Sequence, residues 1–517
     1  MAEILGKQGS RKPISHDSCV SMDATSALRL ATDLARQGRV GEAISAITPA
    51  AIAARPPPEV LELQANLFKM AGDAGAALEP QRRLTRLYPH RRSAWHNLAA
   101  TLGDLGLAAD AEAAARQSLR IPPNAPETFL VLGRSLQNQG RYDDAEAAFT
   151  QALGLRPSYP DAHRDLAQLR WMRTGDSNFA LAELSKAGDD AGLTLVKATV
   201  LEFAGELEAA SRLLSQALSR DAGHIPLRLA ASNLDLALGR TTAALDNARR
   251  VCAATPNRSP AVLAPLIQAL LASGLAEEAA RVVEPWRRGA PDDQLAIALQ
   301  LTAWRALGDA RHQPMTDPSA VIGAFTLPTP TGWPDLASYL RALRTSLLGL
   351  HNLKSHPLDQ SLRGGSQTSQ SLLRSPDPVI MAFFTAVQEP LTAYLASLGP
   401  GDDPLRRRNT GAGQPKAAWS VRLHSQGRHA NHVHPQGWIS SAFYVDTPAK
   451  AVDGGDQAGW IRFGEPPFTV LPPQPPKHAV RPQPGRLVLF PSYLWHGTAP
   501  FETDETRLTI AFDVLPA

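Results

Sequence analysis

A glycine that recurs at a nearly constant interval organises the first three hundred positions of the chain. The glycines are Gly38, Gly72, Gly106, Gly140, Gly175, Gly205, Gly239, Gly274 and Gly308. Seven of the eight intervals in this series are the same to within one position, and an alanine follows each of the first eight glycines at the fifth position. A fixed period of this length indicates a stack of repeated units rather than one globular core.

Each repeat has the pattern of a helical hairpin. The copy "AWHNLAATLGDLGLAADAEAAARQSLRIPPN" has apolar residues at helical spacing, a turn centred on Gly106, an alanine-rich second helix and a stop at Pro122. Glycine tolerates the positive φ that ends the first helix, and proline cannot continue the second. Because one hairpin cannot bury its apolar face alone, neighbouring hairpins must stack. The sequence therefore predicts an α-solenoid over residues 25–311.

The repeats resemble the tetratricopeptide repeat. The matching positions in the two clearest copies are Trp95, Leu98, Gly106, Ala111 and Pro123, and Phe129, Leu132, Gly133, Tyr142, Ala145, Phe149 and Pro157. The resemblance implies a right-handed superhelix whose concave face binds peptides or proteins. Asn97 and Asn138 are the candidate partner-binding residues, although both positions are equally typical of an ordinary polar helix surface. Such an array can also serve as a scaffold or as a dimer interface.

Charge and cysteine content exclude several classes of function. A formal net charge of +3 and the lack of a long basic block give no reason to expect nucleic acid or an anionic membrane as partner. Cys19 and Cys252 are far apart, which predicts no disulfide framework, no thiolate metal site and a reducing, cytoplasmic location. Residues 1–24 lack a signal-peptide core and are expected to be flexible. No apolar run approaches the length that a membrane span requires, so we expect none.

Strand-like patterns replace the helical period in the C-terminal third of the chain. Residues 312–334 are punctuated by proline and glycine and read as a linker or a first strand. A domain over 335–517 follows, with a helical lead-in at 335–400 and a β-barrel core at 417–517. The candidate strands are 419–423, 439–445, 460–463, 486–490 and 507–514. Short strands separated by Pro-rich loops predict a small barrel or jelly roll, so the fold class is multidomain α plus β.

Histidines concentrate in this last segment. In an extended chain His432 and His434 leave the same side, and His496, just past the apolar run "LVLFPSYLW", is the candidate third ligand. His424 and His429 are reserve candidates. Imidazole suits Fe, Zn and Cu, so these residues predict a metal site without fixing the metal. Arg507 lies on the next strand, where a buried guanidinium requires an anionic partner.

The segments "HVHPQGWISSAFYV", "GRLVLFPSYLWHGTAP" and "TRLTIAF" together resemble the Fe(II)- and 2-oxoglutarate-dependent oxygenases, over roughly 330–517. The resemblance implies a double-stranded β-helix that uses Fe(II), 2-oxoglutarate and dioxygen to hydroxylate its substrate. The fused repeats suggest that a protein or peptide is presented as this substrate, while a small molecule or a glycan stays open as an alternative. It assigns His432, His434 and His496 to the metal and Arg507 to the far carboxylate of 2-oxoglutarate. Further candidates for the cosubstrate pocket are Thr509, Tyr444, Arg422 and Trp438. His434 stands where the family usually has an acid, which leaves the site one negative charge poorer.

Other interpretations stay open at this stage. His434 could lie outside the coordination shell, leaving a two-histidine site completed by water. A cupin also carries His-x-His on a barrel, but Trp438 and Ile439 occupy the positions of its glutamate. A degenerate barrel serving a repeat scaffold for protein–protein interaction would carry no chemistry at all.

Overall fold

The computed structural model describes residues 23–256, 258–449 and 457–517. Cys19 and nearly all of the predicted flexible N-terminus lie outside the described residues. The chain divides into two compact units, Met1–Ala148 and Phe149–Ala517, and the division falls within a single helix, Tyr142–Leu155.

The first unit consists of helical hairpins. Its helices are α1 (Ala24–Arg36), α2 (Val40–Ala51), α3 (Pro58–Met70), α4 (Leu78–Leu87), α5 (Arg92–Asp104), α6 (Ala108–Leu119), α7 (Pro126–Asn138) and the first half of α8 (Tyr142–Leu155). Gly38, Gly72, Gly106 and Gly140 separate the paired helices at positive φ values of 76°, 80°, 69° and 74°, a region that favours glycine. The alanines that follow, such as Ala43, are fully buried and let the helices approach closely. The predicted hairpin repeats are confirmed.

The second unit continues the hairpins and then adds further helices. Its helices after α8 are α9 (Pro160–Thr174), α10 (Ser177–Leu181), α11 (Ala191–Phe203), α12 (Leu207–Arg220), α13 (Ile225–Ala237), α14 (Thr241–Ala254), α15 (Pro260–Ala272), α16 (Ala276–Gly289), α17 (Gln294–Ala306), α18 (Gln313–Thr316), α19 (Pro318–Val321), α20 (Leu336–Leu348), α21 (Pro378–Ala386) and α22 (Gln388–Leu398). Helix α10 has only five residues, which accounts for the shortened spacing between Gly175 and Gly205.

Two antiparallel sheets occupy the C-terminal region. The strands are β1 (Gly323–Thr326), β2 (Leu362–Gln367), β3 (Gly413–His429), β4 (Ile439–Asp446), β5 (Ile461–Phe463), β6 (His478–Val480), β7 (Arg486–Pro491), β8 (His496–Thr498) and β9 (Arg507–Pro516). The six-stranded sheet has the order β1-β7-β4-β9-β3-β2, and the three-stranded sheet has the order β6-β5-β8. Strand β1 lies inside residues 312–334, so this segment contributes a strand to the large sheet.

Helices α21 and α22 pack their apolar side chains into the core of this region. The Phe383 ring lies 4.7 Å from that of Phe443 and 6.0 Å from that of Phe512, centroid to centroid. The segment Pro378–Leu398 is long and apolar enough to cross a membrane by length and composition, which the sequence analysis did not anticipate. Phe383 and Tyr394 are almost completely buried, as is usual in the core helix of a folded domain.

Within the second unit, the last repeat helices and the sheets share one hydrophobic core. Leu299 of α17 belongs to the same buried cluster as Phe463 and Trp495. The Trp495 indole N–H donates to Thr302 Oγ1 at 2.9 Å, and Arg305 Nη1 donates to the Gly464 carbonyl at 2.6 Å. Such bonds pair polar groups that burial would otherwise leave unsatisfied. The proposed boundaries at 311 and 334 therefore stay predictions from sequence pattern, since packing is continuous across them.

A buried histidine predicts how the stability of this unit depends on pH. Burial lowers the pKa of His351 to about 4, and its ring nitrogens lie 2.8 Å from Ser366 Oγ and 3.1 Å from Ser420 Oγ. The unfolded chain takes up this proton below about pH 6.5, whereas the folded chain does so only near pH 4. The contribution of neutral His351 to the free energy of unfolding is therefore complete above pH 6.5. It is lost as the pH falls towards 4, at up to about 1.4 kcal/mol per pH unit.

We expect the free energy of unfolding in urea to decrease between pH 7 and pH 5, and to decrease less steeply in His351→Asn. His478→Asn, at an exposed position, is the matched control for the replacement of a histidine by asparagine. An unchanged slope in His351→Asn would contradict the assignment, whatever that variant's absolute stability.

Candidate metal centre

A reciprocal pair of backbone hydrogen bonds fixes the His-x-His segment against β8. The His432 N–H donates to the His496 carbonyl at 2.9 Å, and the His496 N–H donates to the His432 carbonyl at 3.1 Å. The His434 N–H donates to the Ser492 carbonyl at 3.0 Å, which keeps the segment extended. His432 and His434 consequently turn their side chains to the same side, as the sequence predicted.

The three imidazoles of His432, His434 and His496 converge on one point. One nitrogen from each ring lies within 4.8 Å of the others. The ring centroid of His432 is 4.2 Å from that of His496 and 5.0 Å from that of His434. Three imidazole nitrogens that converge at this separation could hold one metal ion.

Hydrogen bonds on the far side of each ring fix the tautomer. His432 Nδ1 lies 2.9 Å from the Ala430 carbonyl, and His496 Nδ1 lies 2.9 Å from the Leu494 carbonyl. His434 Nδ1 lies 2.7 Å from Asp513 Oδ1. Because carbonyl and carboxylate oxygens only accept, each Nδ1 must carry the proton, and each Nε2 is left with a bare lone pair in the neutral ring. This is how metal-binding histidines are usually oriented.

The Nε2 atoms of His432 and His434 lie only 3.0 Å apart. Two lone pairs at this distance repel each other unless a cation or a proton lies between or beside them. Two nitrogens bound about 2.1 Å from one ion at a right angle are about 3.0 Å apart, so the spacing fits neighbouring ligands of one metal. Burial, together with the neighbouring imidazoles, lowers the pKa of His432 to about 3 and that of His496 well below its usual range. His432 and His496 are therefore neutral, and able to bind a metal, at neutral pH.

Asp513, near the end of β9, is a site residue that the sequence analysis did not name. Its Oδ1 accepts from Ser440 Oγ at 2.7 Å, the same distance that separates it from His434 Nδ1. The Trp419 ring stacks on His434 with centroids 5.7 Å apart. Strand alternation could have found Asp513, because Arg507 and every second residue after it as far as Asp513 line the same cavity.

Arg507 lies in the wall of this cavity and is 2% exposed. Its Nη1 donates to the Gly459 carbonyl at 2.8 Å, and its guanidinium lies 5.0 Å from the centroid of the Tyr444 ring. In the described part of the chain, Arg507 Nε and the Tyr444 hydroxyl are buried and without a hydrogen-bond partner. Burial lowers the pKa of Arg507. A buried guanidinium with unused donors fits a carboxylate ligand.

The cavity that contains these groups has a volume of about 610 Å³. The three histidines, Arg507, Thr509 and Asp513 line it, and its rim includes the segment leading into β2. Ser361, in that segment, places its hydroxyl 3.3 Å from His432 Nε2 and 3.1 Å from His429 Nδ1. Of the two reserve histidines, His429 therefore reaches the cavity, whereas His424 is absent from its described lining.

Two of the predicted pocket residues are not brought to the site. Trp438 is 1% exposed, and its indole N–H donates to the Leu405 carbonyl in the core. Arg422 is paired with Leu508, whereas Thr509 is paired with Val421. Directly opposed residues share a face of the sheet, so Thr509 and Val421 lie on one face. The side chain of Arg422, the next residue along the strand, therefore extends from the other face. Tyr444 contacts the site through Arg507, and neither Trp438 nor Arg422 lies among the described cavity residues.

The candidate partner-binding residues lie far along the sequence from this centre. Asn97 and Asn138 are half-buried on α5 and α7 of the first unit.

The convergence of the three imidazoles predicts that loss of any one of them greatly weakens metal binding. We expect His432→Ala, His434→Ala and His496→Ala each to weaken Co(II) or Fe(II) binding by more than about 100-fold. Loss of an outer-shell partner alone typically costs about 10–100-fold, and loss of a ligand should cost more. Titration followed by calorimetry or by Co(II) absorption measures the effect, with His478→Ala as the surface control. Wild-type affinity in any of the three variants would remove that histidine from the site.

Comparison with known proteins gives matches for both parts of the chain. Residues 417–513 match a family model described as "Putative 2OG-Fe(II) oxygenase", a stretch that contains the three histidines, Arg507 and Asp513. Residues 28–92 and 130–190 match a tetratricopeptide-repeat model. No curated protein matches the chain.

Similar solved structures are repeat proteins. MamA from Desulfovibrio magneticus RS-1 is 19% identical, with 32% of this chain and 92% of that chain covered and a TM-score of 0.30. A tetratricopeptide repeat protein from Parabacteroides merdae ATCC 43184 is 21% identical, with 41% and 83% covered and a TM-score of 0.32. A thermophilic TPR protein from Thermus thermophilus is 25% identical, with 34% and 98% covered and a TM-score of 0.29. By the two family models, the chain combines tetratricopeptide repeats in its N-terminal part with a "Putative 2OG-Fe(II) oxygenase" domain at residues 417–513.

Proposed function

We propose that the chain is an Fe(II)- and 2-oxoglutarate-dependent dioxygenase that hydroxylates a protein or peptide substrate. The observation that carries the proposal is the pairing, in one cavity, of three converging imidazole nitrogens with the buried guanidinium of Arg507, whose Nε has no hydrogen-bond partner among the described residues. The first group fits a divalent metal, and the second fits the carboxylate of a metal-bound cosubstrate. The family match at residues 417–513 supports Fe(II), 2-oxoglutarate and dioxygen as the cofactor and cosubstrates.

The proposal includes the fold of the catalytic domain. We interpret the six-stranded and three-stranded sheets as the two walls of a double-stranded β-helix. Support comes from the distribution of the site residues, since His496 belongs to the small sheet and Arg507 to the large one. The bond pair between His432 and His496 holds the His-x-His segment to the small sheet.

Each residue of the site has a distinct role in this proposal. His432, His434 and His496 would hold Fe(II), and Arg507 would pair with the far carboxylate of 2-oxoglutarate, beside Thr509. The bound metal and cosubstrate would supply dioxygen activation for oxidation of a C–H bond. The protein itself positions these groups: the carbonyls and Asp513 hold the ring proton of each histidine on Nδ1, and the Tyr444 ring supports the guanidinium. His496 is buried and His432 and His434 are partly buried, which restricts access of water to the ligands.

The size and surroundings of the cavity support a polymeric substrate. A volume of about 610 Å³ leaves room for a side chain beside a small dicarboxylate. Ala430 and Asn431 also line an adjoining cavity of about 550 Å³ beneath the Pro-rich segment 465–475. Repeat arrays of this kind present extended surfaces for protein partners, and Asn97 and Asn138 are the proposed contact residues. Two cysteines without a disulfide framework agree with a cytoplasmic location, which belongs to the proposal as well.

The proposed role of Arg507 predicts that removal of its guanidinium weakens the binding of 2-oxoglutarate. We expect Arg507→Met to raise the KM for 2-oxoglutarate by at least about 30-fold, because loss of one partner of a buried charge pair costs about 2 kcal/mol or more. Succinate release at saturating Fe(II) measures this change. Arg422→Met is the matched control, because Arg422 is a nearby guanidinium on the other face of the sheet. Equal effects in the two variants, or an unchanged KM in Arg507→Met, would contradict the assignment.

The role of the repeats is tested separately from the chemistry. We expect the double variant Asn97→Ala, Asn138→Ala to lose oxygen incorporation into lysate proteins, measured by mass spectrometry. Its succinate release without added protein should stay at the wild-type rate. The exposed Asn124 supplies the control variant, Asn124→Ala. Undiminished protein hydroxylation in the double variant would remove these residues from substrate binding.

A further inference from the structure

We infer that Asp513 supplies the negative charge that the proposed metal site lacks among its ligands, and that it acts through His434 as a positioning residue. The inference rests on the proposed function, because it concerns how that site holds its metal. Neutral imidazoles contribute no charge, so a three-histidine site leaves a divalent metal uncompensated within the ligand shell.

The contact between Asp513 and His434 is short and shielded. Oδ1 of Asp513 lies 2.7 Å from His434 Nδ1, and the two side chains are only 14% and 12% exposed. The geometry makes the imidazole N–H the donor and the carboxylate the acceptor. An imidazole that donates to a carboxylate is a more basic ligand, and such an outer partner fixes both the tautomer and the orientation of the ring.

Neighbouring groups hold the Asp513 carboxylate in this position. Ser440 Oγ donates to the same Oδ1 at 2.7 Å and lies 2.8 Å from Ser492 Oγ. Gly437 packs against this pair: a Cβ built on it would lie 3.0 Å from Ser492 Cβ and 3.5 Å from Asp513 Cγ. A larger residue at Gly437 would therefore collide with Ser492, whose hydroxyl lies against that of Ser440. Ser440, Ser492 and Gly437 thus hold the Asp513 carboxylate next to His434.

The charges around the cavity give this acid a function beyond packing. The acidic residues in its described lining are Asp513 and Asp359, and Asp359 is on the exposed rim. Arg507 adds a positive charge to the same wall. Without Asp513, a metal ion would share the interior with a guanidinium and no interior anion until the cosubstrate binds. Asp513 offsets that charge through one imidazole.

Asp513 is assigned to a position behind the ligands rather than among them. Its Oδ1 already accepts from two donors, and the converging nitrogen set consists of the three histidines. In this site the metal-binding atom and the negative charge, which a single carboxylate ligand would supply together, come from two residues. His434 supplies the donor atom, and Asp513 supplies the charge.

The test is a cycle of variants of the full chain, read by Co(II) titration and absorption without any turnover. We expect Asp513→Asn to weaken Co(II) binding by about 10–100-fold, the usual effect of losing an outer carboxylate. His434→Asp returns a carboxylate to the ligand shell, so the double variant His434→Asp, Asp513→Asn should regain affinity close to the wild type. Thermal unfolding of the metal-free variants measures any purely structural effect of the substitutions.

The outcomes separate this inference from the proposed function. Wild-type Co(II) affinity in Asp513→Asn, or a double variant as weak as Asp513→Asn alone, would overturn the role of Asp513 while leaving the three-histidine site in place. Failure of the wild-type chain to bind Co(II) or Fe(II) would instead overturn the proposed function itself. Rescue by His434→Asp supports the inference, because a structural role of Asp513 predicts no such rescue.

Discussion

The pair of backbone hydrogen bonds between His432 and His496 is the constraint on which the candidate site depends. It joins the segment after β3 to β8, two parts of the chain that are far apart in sequence, and so brings the His-x-His motif to its third imidazole. His496 is held in turn by the pairing of β8 with β5 and by the Phe490 ring, whose centroid lies 4.6 Å away. Backbone pairing therefore sets the ligand geometry before any metal binds, and the hydrogen bonds at Nδ1 then select the bare nitrogen of each ring.

Local rules were enough to predict the repeats from the sequence. A residue such as Gly106 occupies a position whose positive φ favours glycine, and the spacing of these positions gives the hairpin length directly. Five strands were predicted because each contains β-branched or aromatic residues between turn-forming segments. Strands β2, β6 and β8 were missed since each is short or polar and is defined by a distant partner.

The sequence motif and the alternation of side chains along a strand predicted only part of the site. His432, His434 and His496 meet as expected, and Arg507 and Thr509 line their cavity. Arg422 was placed on the wrong face, because alternation along one strand does not reveal which face is inner. That choice depends on the register with β9. Asp513 was missed because its partner, His434, lies on a distant segment of the chain. The sequence analysis therefore considered only the ligand position, His434, and not the acid that contacts this histidine.

Three imidazoles holding one metal ion is the central claim, and X-ray absorption spectroscopy of the full chain loaded with one equivalent of Fe(II) measures it most directly. The convergence of the three Nε2 atoms predicts a shell containing three imidazole nitrogens at about 2.1 Å, with the outer scattering that imidazole rings produce. A shell with two or fewer imidazoles would contradict the assignment of His432, His434 and His496 as joint ligands.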